Sequence, residues 1–150
     1  MVIKFLIIIS ANLLLFLPVK AEFLIVNVQK ENGIGSVIIA AYDNEKKEFF
    51  GKSKPNKKGN PEHFFLAKKK YMENSKLSFE FDIPYGEYAF VAFLDNDNNQ
   101  MLSANFIGIP KEPFGFSNNA RGKFGPPKWD DAIINFTKSY QEILINLKGL

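Results

Sequence analysis

Six short stretches of this chain place an apolar side chain at every second position: Leu24, Val26 and Val28; Val37, Ile39 and Ala41; Leu77, Phe79 and Phe81; Tyr88, Phe90, Ala92 and Leu94; Ala132, Ile134 and Phe136; Ile143, Ile145 and Leu147. A period of two puts every member of a run on one face of an extended strand, whereas a helix would scatter them around its surface. Aromatic and β-branched residues dominate the runs, and segments containing Gly, Pro, Asn or Asp separate them. After residue 21 no segment sustains a long helical period. The economical fold is all-β, an antiparallel two-sheet sandwich closed over these apolar faces. A short helix near Pro61 to Lys70 is the one helical expectation.

The residues before the first run have a different character. A single early cation, Lys4, precedes a 13-residue run dominated by apolar side chains, Phe5 to Leu17, and then Pro18 and the small residues Val19 and Ala21. That order is a three-part secretory signal, and the run is shorter than the roughly 20 apolar residues a spanning helix needs. Cleavage after Ala21 is expected, leaving one domain from Glu22 to Leu150, periplasmic or secreted, with no stable membrane insertion. The absence of cysteine excludes both disulfides and a lipid-modified N-terminal cysteine. Without the two leader lysines, 17 basic side chains face 16 acidic ones, a balance that argues against a nucleic-acid partner.

Chemistry of the catalytic kind is sparse. The only histidine, His63, lies in a polar, lysine-rich stretch between Lys46 and Lys76 and has no triad pattern around it. Those lysines read as a solvated loop and a protected edge strand, with a basic patch for anionic surfaces as the competing reading. Asp130 and Asp131 are consecutive, so on a strand they face opposite sides and cannot work as a pair. No phosphate-cradling glycine loop, zinc spacing or nucleophile elbow occurs.

Two motifs carry a resemblance. "DIPYGEY", Asp82 to Tyr88, is a tight turn between two alternating runs, and its Pro-Tyr-Gly order predicts a type II turn with Gly86 at positive φ. It resembles the apolar-Pro-x-Gly-x-Tyr turn of transthyretin-like β-sandwiches, implying an immunoglobulin-like or transthyretin-like sandwich with a long ordered Gly/Pro/aromatic loop. Downstream, Gly86, Tyr88 and Ala89; Asp95, Asp97 and Asn99; Gly108 to Pro110 and Glu112; Gly115 to Asn119; and Gly125 to Pro127 resemble the pattern of a bacterial family of exported proteins, domain of unknown function 2141. The family has no assigned activity to transfer. Leu94, Gln100 and Ser103 stand where its pattern has His, Gly and Asp.

The stretch "LDNDNNQMLSAN" begins like a calcium loop: Asp95, Asp97 and Asn99 alternate as short oxygen ligands, with the Met101 carbonyl and Ser103 next in the series. Gln100 occupies the sharp turn that glycine makes easily, and Phe106 stands where a closing carboxylate belongs. Calcium is thus the one cofactor in view, weakly held, against an Asx-rich turn whose side chains bond their own backbone. Glu112 reaches the loop only if the chain folds back. "EPFGFSNNARGKFGPPKW" combines aromatics with glycines and prolines, as in a compact flap or a ligand surface. Its candidate ligand residues are Glu112, Phe116, Ser117, Asn118, Asn119, Arg121 and Trp129. The expected function is non-enzymatic binding of a protein partner or an envelope glycan through the Asp95 to Trp129 loops. The alternative is an enzyme or accessory domain with a weak calcium site there.

Overall fold

The computed structural model describes residues 22–52, 54 and 56–149; the expected leader and cleavage site lie outside them. Eight strands form two sheets: β1 (Phe23–Gln29), β2 (Gly35–Tyr42), β3 (Leu66–Met72), β4 (Lys76–Asp82), β5 (Gly86–Asp95), β6 (Phe114–Phe116), β7 (Ile134–Phe136) and β8 (Tyr140–Asn146). The smaller sheet has the order β4-β1-β8; the larger runs β3-β2-β5-β6, with β7 also on the free edge of β5. Links at 30–34, 73–75, 83–85 and 137–139 each carry the chain from one sheet to the other.

The period-two residues meet between the sheets. Leu24, Val26 and Val28 of β1 share one core with Val37 and Ile39 of β2, Phe79 and Phe81 of β4, Phe90 of β5, and Phe136 and Ile145 from β7 and β8. Burying each large apolar side chain stabilises the fold by about 1.5–3 kcal/mol. The all-β sandwich expected from the sequence is the observed fold.

Four details differ from the sequence reading. β1 pairs with β8 in parallel, Phe23 beside Tyr140 and Gln29 beside Asn146. The first and last strands have the whole chain between them, so no short turn constrains their direction. The helix expected near Pro61 to Lys70 is a single 3-10 turn, Pro61–His63, followed by β3. Pro61 opens that turn and the Asn60 side chain caps it, while strand pairing with β2 claims the lysines. Gly86 is not at positive φ. It is the first residue of β5, opposite Phe136, and the turn is held by the Tyr88 hydroxyl donating to the Pro84 carbonyl at 2.9 Å. Finally, Trp129–Ala132 is one helical turn, α1, on which Asp130 and Asp131 are both exposed.

β3 is the open edge of the larger sheet, and its lysines protect it. Lys68 and Lys70 occupy inward positions and reach to β4, where they donate to the carbonyls of Glu80 and Ser78. Their ammonium groups lie 4.9 and 5.5 Å from the Phe81 and Phe79 ring centroids. Inward-pointing charge on an edge strand blocks pairing with a second chain. Among the described residues no helix is long and apolar enough to cross a membrane.

Candidate functional site

β5 ends at Asp95, whose carboxylate is 2% exposed and closes the loop that follows. Its Oδ1 accepts the Asn99 N–H at 3.1 Å and its Oδ2 the Gln100 N–H at 3.0 Å. Asp97 Oδ1 accepts the Asn99 N–H at 3.2 Å, and Asp97 Oδ2 accepts from Asn99 Nδ2 at 2.7 Å and from the Ser103 hydroxyl at 3.2 Å. Asn99 Oδ1 accepts the Met101 N–H at 2.7 Å. Gln100 sits at φ 62°, the left-handed conformation that its position in the motif demands.

From Ser103 the chain forms a small hairpin, closed by Lys111 N–H to the Ser103 carbonyl at 2.8 Å and by a bridge between Ala104 and Pro110. The hairpin returns Glu112 to the loop. Its carboxylate, on a residue 4% exposed, accepts the N–H groups of Asn96 and Ser103, both at 2.8 Å. Oxygens of Asp95, Asp97 and Glu112 all lie within 4.8 Å of one another. The Lys69 ammonium stands 4.0 Å from Asp95 Oδ2 and donates to Asn98 Oδ1 at 2.7 Å. The candidate ligands Asp95, Asp97, Asn99 and Ser103 are thus together, and Glu112 joins them. Calcium wants six to eight oxygens. In this cluster the carboxylates accept from backbone N–H groups, the Asn99 amide and the Ser103 hydroxyl, with Lys69 beside Asp95, and this Asx capping shapes the loop.

The second candidate segment is placed differently. Ser117 is fully buried; its hydroxyl accepts the Phe90 N–H at 2.9 Å and donates to the Ala132 carbonyl. Asn118 donates to the Ile133 carbonyl at 2.7 Å. Asn119 donates to the Leu144 carbonyl at 3.2 Å and accepts the Asn146 N–H at 2.8 Å. Phe116 is buried edge-on against Phe50, 5.7 Å between centroids, and Trp129 meets the same ring edge-on at 5.7 Å. Of the candidate ligand residues here, Phe116 and Ser117 are buried, while Asn118 and Asn119 are exposed with their side chains bonded to backbone groups. Their polar atoms bind β5, the end of α1 and β8, and the Phe116 ring joins a second core outside the larger sheet. Arg121 remains exposed, its guanidinium 5.7 Å from the Phe114 ring.

The concave surface lies beside that second core. Outward residues of β2 and β5, Ile38, Ala40, Val91 and Phe93, floor a cleft of about 350 Å³, walled by Phe64 and by Gln100, Met101 and Leu102 of the Asp95 loop. Lys54, Lys57, Lys58, Lys68 and Lys69 also line it, and no lining residue is Asp or Glu. This size falls within the range of small-ligand sites. The lysine loop is fixed to the Asp95 side by Asn56, whose Oδ1 accepts the Ala104 N–H at 2.8 Å and whose own N–H donates to the Leu102 carbonyl at 3.0 Å. The sequence reading missed this site, although a signal was present: "SVIIAAY" and "YAFVAFL" are apolar at both parities, as in strands covered on both faces. His63, outside the lining, is exposed and stacks on Phe49 at 4.2 Å.

Fold and site together define a two-sheet β-sandwich whose loops cover part of one outer face and leave the rest as a lysine-rimmed cleft. The chain belongs to the family described as "Uncharacterized protein conserved in bacteria", domain of unknown function 2141, whose profile matches residues 25–144. A crystal structure from Bacteroides thetaiotaomicron VPI-5482, of a candidate polysaccharide binding protein from domain of unknown function 1812, is similar at 14% identity with a TM-score of 0.44. The likeness covers 84% of this chain and 46% of that one, so this chain spans about half the length of that protein. No curated protein matches the sequence.

Proposed function

We propose that this protein is an exported, non-enzymatic binding module that takes an acidic glycan of the cell envelope in the cleft on the outer face of its larger sheet. The observation that carries the reading is the composition of that cleft: an apolar floor with the half-buried rings of Phe64 and Phe93, five lysines in its lining, and no carboxylate. Aromatic rings offer flat apolar area to a sugar face, and clustered ammonium groups, of which only Lys69 has a carboxylate beside it among the described residues, attract carboxylates or phosphates. The Asp95 loop contributes a wall rather than the contact residues expected from the sequence. Lysines supply binding, but no imidazole or carboxylate among the lining residues stands ready as their acid–base partner. Export rests on the signal-like leader.

The test is calorimetry on residues 22–150 with uronic-acid oligosaccharides and neutral oligosaccharides of matched length. Acidic chains should bind and neutral ones should not, and Lys57→Ala with Lys58→Ala should weaken binding about tenfold. Equal affinity for both sugars, or no effect of the lysines, would overturn the assignment. A second reading, a weak cation-dependent site, is favoured by the convergence of Asp95, Asp97 and Glu112 within 4.8 Å. Calcium titration of the same protein tests it.

A further inference from the structure

We infer that the tip of the small hairpin, Phe106 to Ile109, is a wedge that docks the protein on an anionic phospholipid bilayer. Three of its four residues are large and apolar, and all three face solvent: Phe106 is 98% exposed, Ile107 64% and Ile109 41%. Their exposure is not the product of a loose loop. Asn105 Oδ1 accepts the N–H groups of Ile107 at 3.1 Å and Ile109 at 2.9 Å, the Gly108 N–H donates to the Asn105 carbonyl at 3.0 Å, and the Asn105 N–H donates to the Ile109 carbonyl at 2.9 Å. Backbone donors left unpaired in lipid are costly. In this tip the N–H groups of residues 107 to 109 are all bonded inside the hairpin, so apolar side chains can enter the headgroup boundary without stranding them.

The surroundings decide which partner fits. Asn56 clamps the loop carrying Lys57 and Lys58 to the hairpin base through Ala104, and Lys111 lies on the returning arm. No acidic residue occurs between 98 and 111 or between 49 and 61. The next one in the chain, Glu112, turns its carboxylate inward to Asn96 and Ser103. An apolar wedge with lysines at its base and on its returning arm, and with the carboxylate that follows it in sequence turned inward, matches an interface of acyl chains beneath negative headgroups. Docking of this kind is peripheral and adds no spanning segment.

Residues 22–150, which contain every strand among the described residues, are the material for the test. Vesicles of phosphatidylcholine alone and of phosphatidylcholine mixed with phosphatidylglycerol are used in co-sedimentation. The wild type should sediment with the mixed vesicles, and added salt should weaken it. Phe106→Ser with Ile107→Ser should reduce binding by at least about tenfold while leaving the melting temperature unchanged, because neither side chain packs in the core. The same variant leaves the cleft intact, so failure here is distinguishable from failure of the glycan reading. Absence of sedimentation with either vesicle at low salt overturns the inference and leaves the tip to a protein partner. So does a double variant that binds as tightly as wild type, since lysines alone would then explain the attraction.

Discussion

Glu112 closes the Asp95 loop, and its removal should show how much of the site it holds. In Glu112→Ala two charge-assisted hydrogen bonds at 2.8 Å disappear, from the N–H groups of Asn96 and Ser103. Bonds of this kind contribute about 1.5–3 kcal/mol each. Two terms reduce the sum: Asn96 is exposed and Ser103 half-buried, so water partly replaces the lost acceptor, and removing one of three clustered carboxylates relieves repulsion with Asp95 and Asp97. A net loss of about 2–3 kcal/mol follows, or a melting temperature lower by roughly 6–12 °C in a domain of this size. Glu112→Gln keeps one acceptor and should lose about half as much. Asp97→Asn, on the exposed side, should change stability by less than about 0.5 kcal/mol. Urea unfolding in chelator-containing buffer measures all three. A Glu112→Ala variant within about 0.5 kcal/mol of wild type would refute the reasoning, as would Asp97→Asn costing as much as Glu112→Ala.

Three further outcomes are expected. A Cβ on Gly115 would lie 2.6 Å from the Asn146 carbonyl oxygen and 2.8 Å from Ile145 Cγ2, so Gly115→Ala should destabilise by about 1–3 kcal/mol in the same assay; an unchanged midpoint would mean that β8 does not cross β6 so closely. Burial, followed by the charge of Asp43, raises the Tyr88 hydroxyl above its ordinary 10.0 and favours the neutral phenol. That stabilisation is complete below about pH 10 and is lost as pH rises through the folded value, so Tyr88→Phe should flatten the alkaline limb of a stability–pH curve at a cost near 1 kcal/mol for the bond to Pro84. Gln100→Gly with Ser103→Asp relieves the left-handed φ of 62° and adds a carboxylate beside Asp97, so calcium binding by calorimetry should tighten at least about tenfold, or 1.4 kcal/mol; no difference between variant and wild type would leave the loop as Asx capping alone.

The six alternating runs were legible because all their members except Ala132 line the space between the two sheets, and a one-residue slip would turn each run to the opposite face. β3 was hidden because its inward positions hold Lys68 and Lys70, whose stems cover Phe81 and Phe79 while their charges reach the β4 backbone. At an open edge lysine satisfies burial and solvation together, so hydropathy alone does not mark the strand. β6 has only three residues, too few to show a period. The Asp95 motif was legible through its spacing, but Glu112 was not tied to it: a hairpin nine residues long brings the carboxylate back to Ser103, and local pattern does not encode that closure. The cleft depends on the outward residues of β2 and β5, which the alternation rule sets aside as surface.

The two Asx-rich segments of this chain look alike as sequence and divide by where their polar atoms turn. Asn118 and Asn119 sit at φ 56° and 52°, a pair of left-handed residues that asparagine tolerates better than most. Each is fixed by its side chain on a carbonyl of another element, Ile133 for one and Leu144 for the other, while Ser117 joins Phe90 to Ala132. That segment joins β5, the end of α1 and β8, and a ligand could take its donors only by breaking those bonds. The Asp95 segment also spends its carboxylates on its own backbone, yet it remains a wall of the cleft through Gln100, Met101 and Leu102. Lys54, Lys57 and Lys58 complete the contrast, forming no ion pair among the described residues. Under the proposed function, binding falls to the lysine segment that Asn56 ties to the hairpin base rather than to either Asx-rich motif.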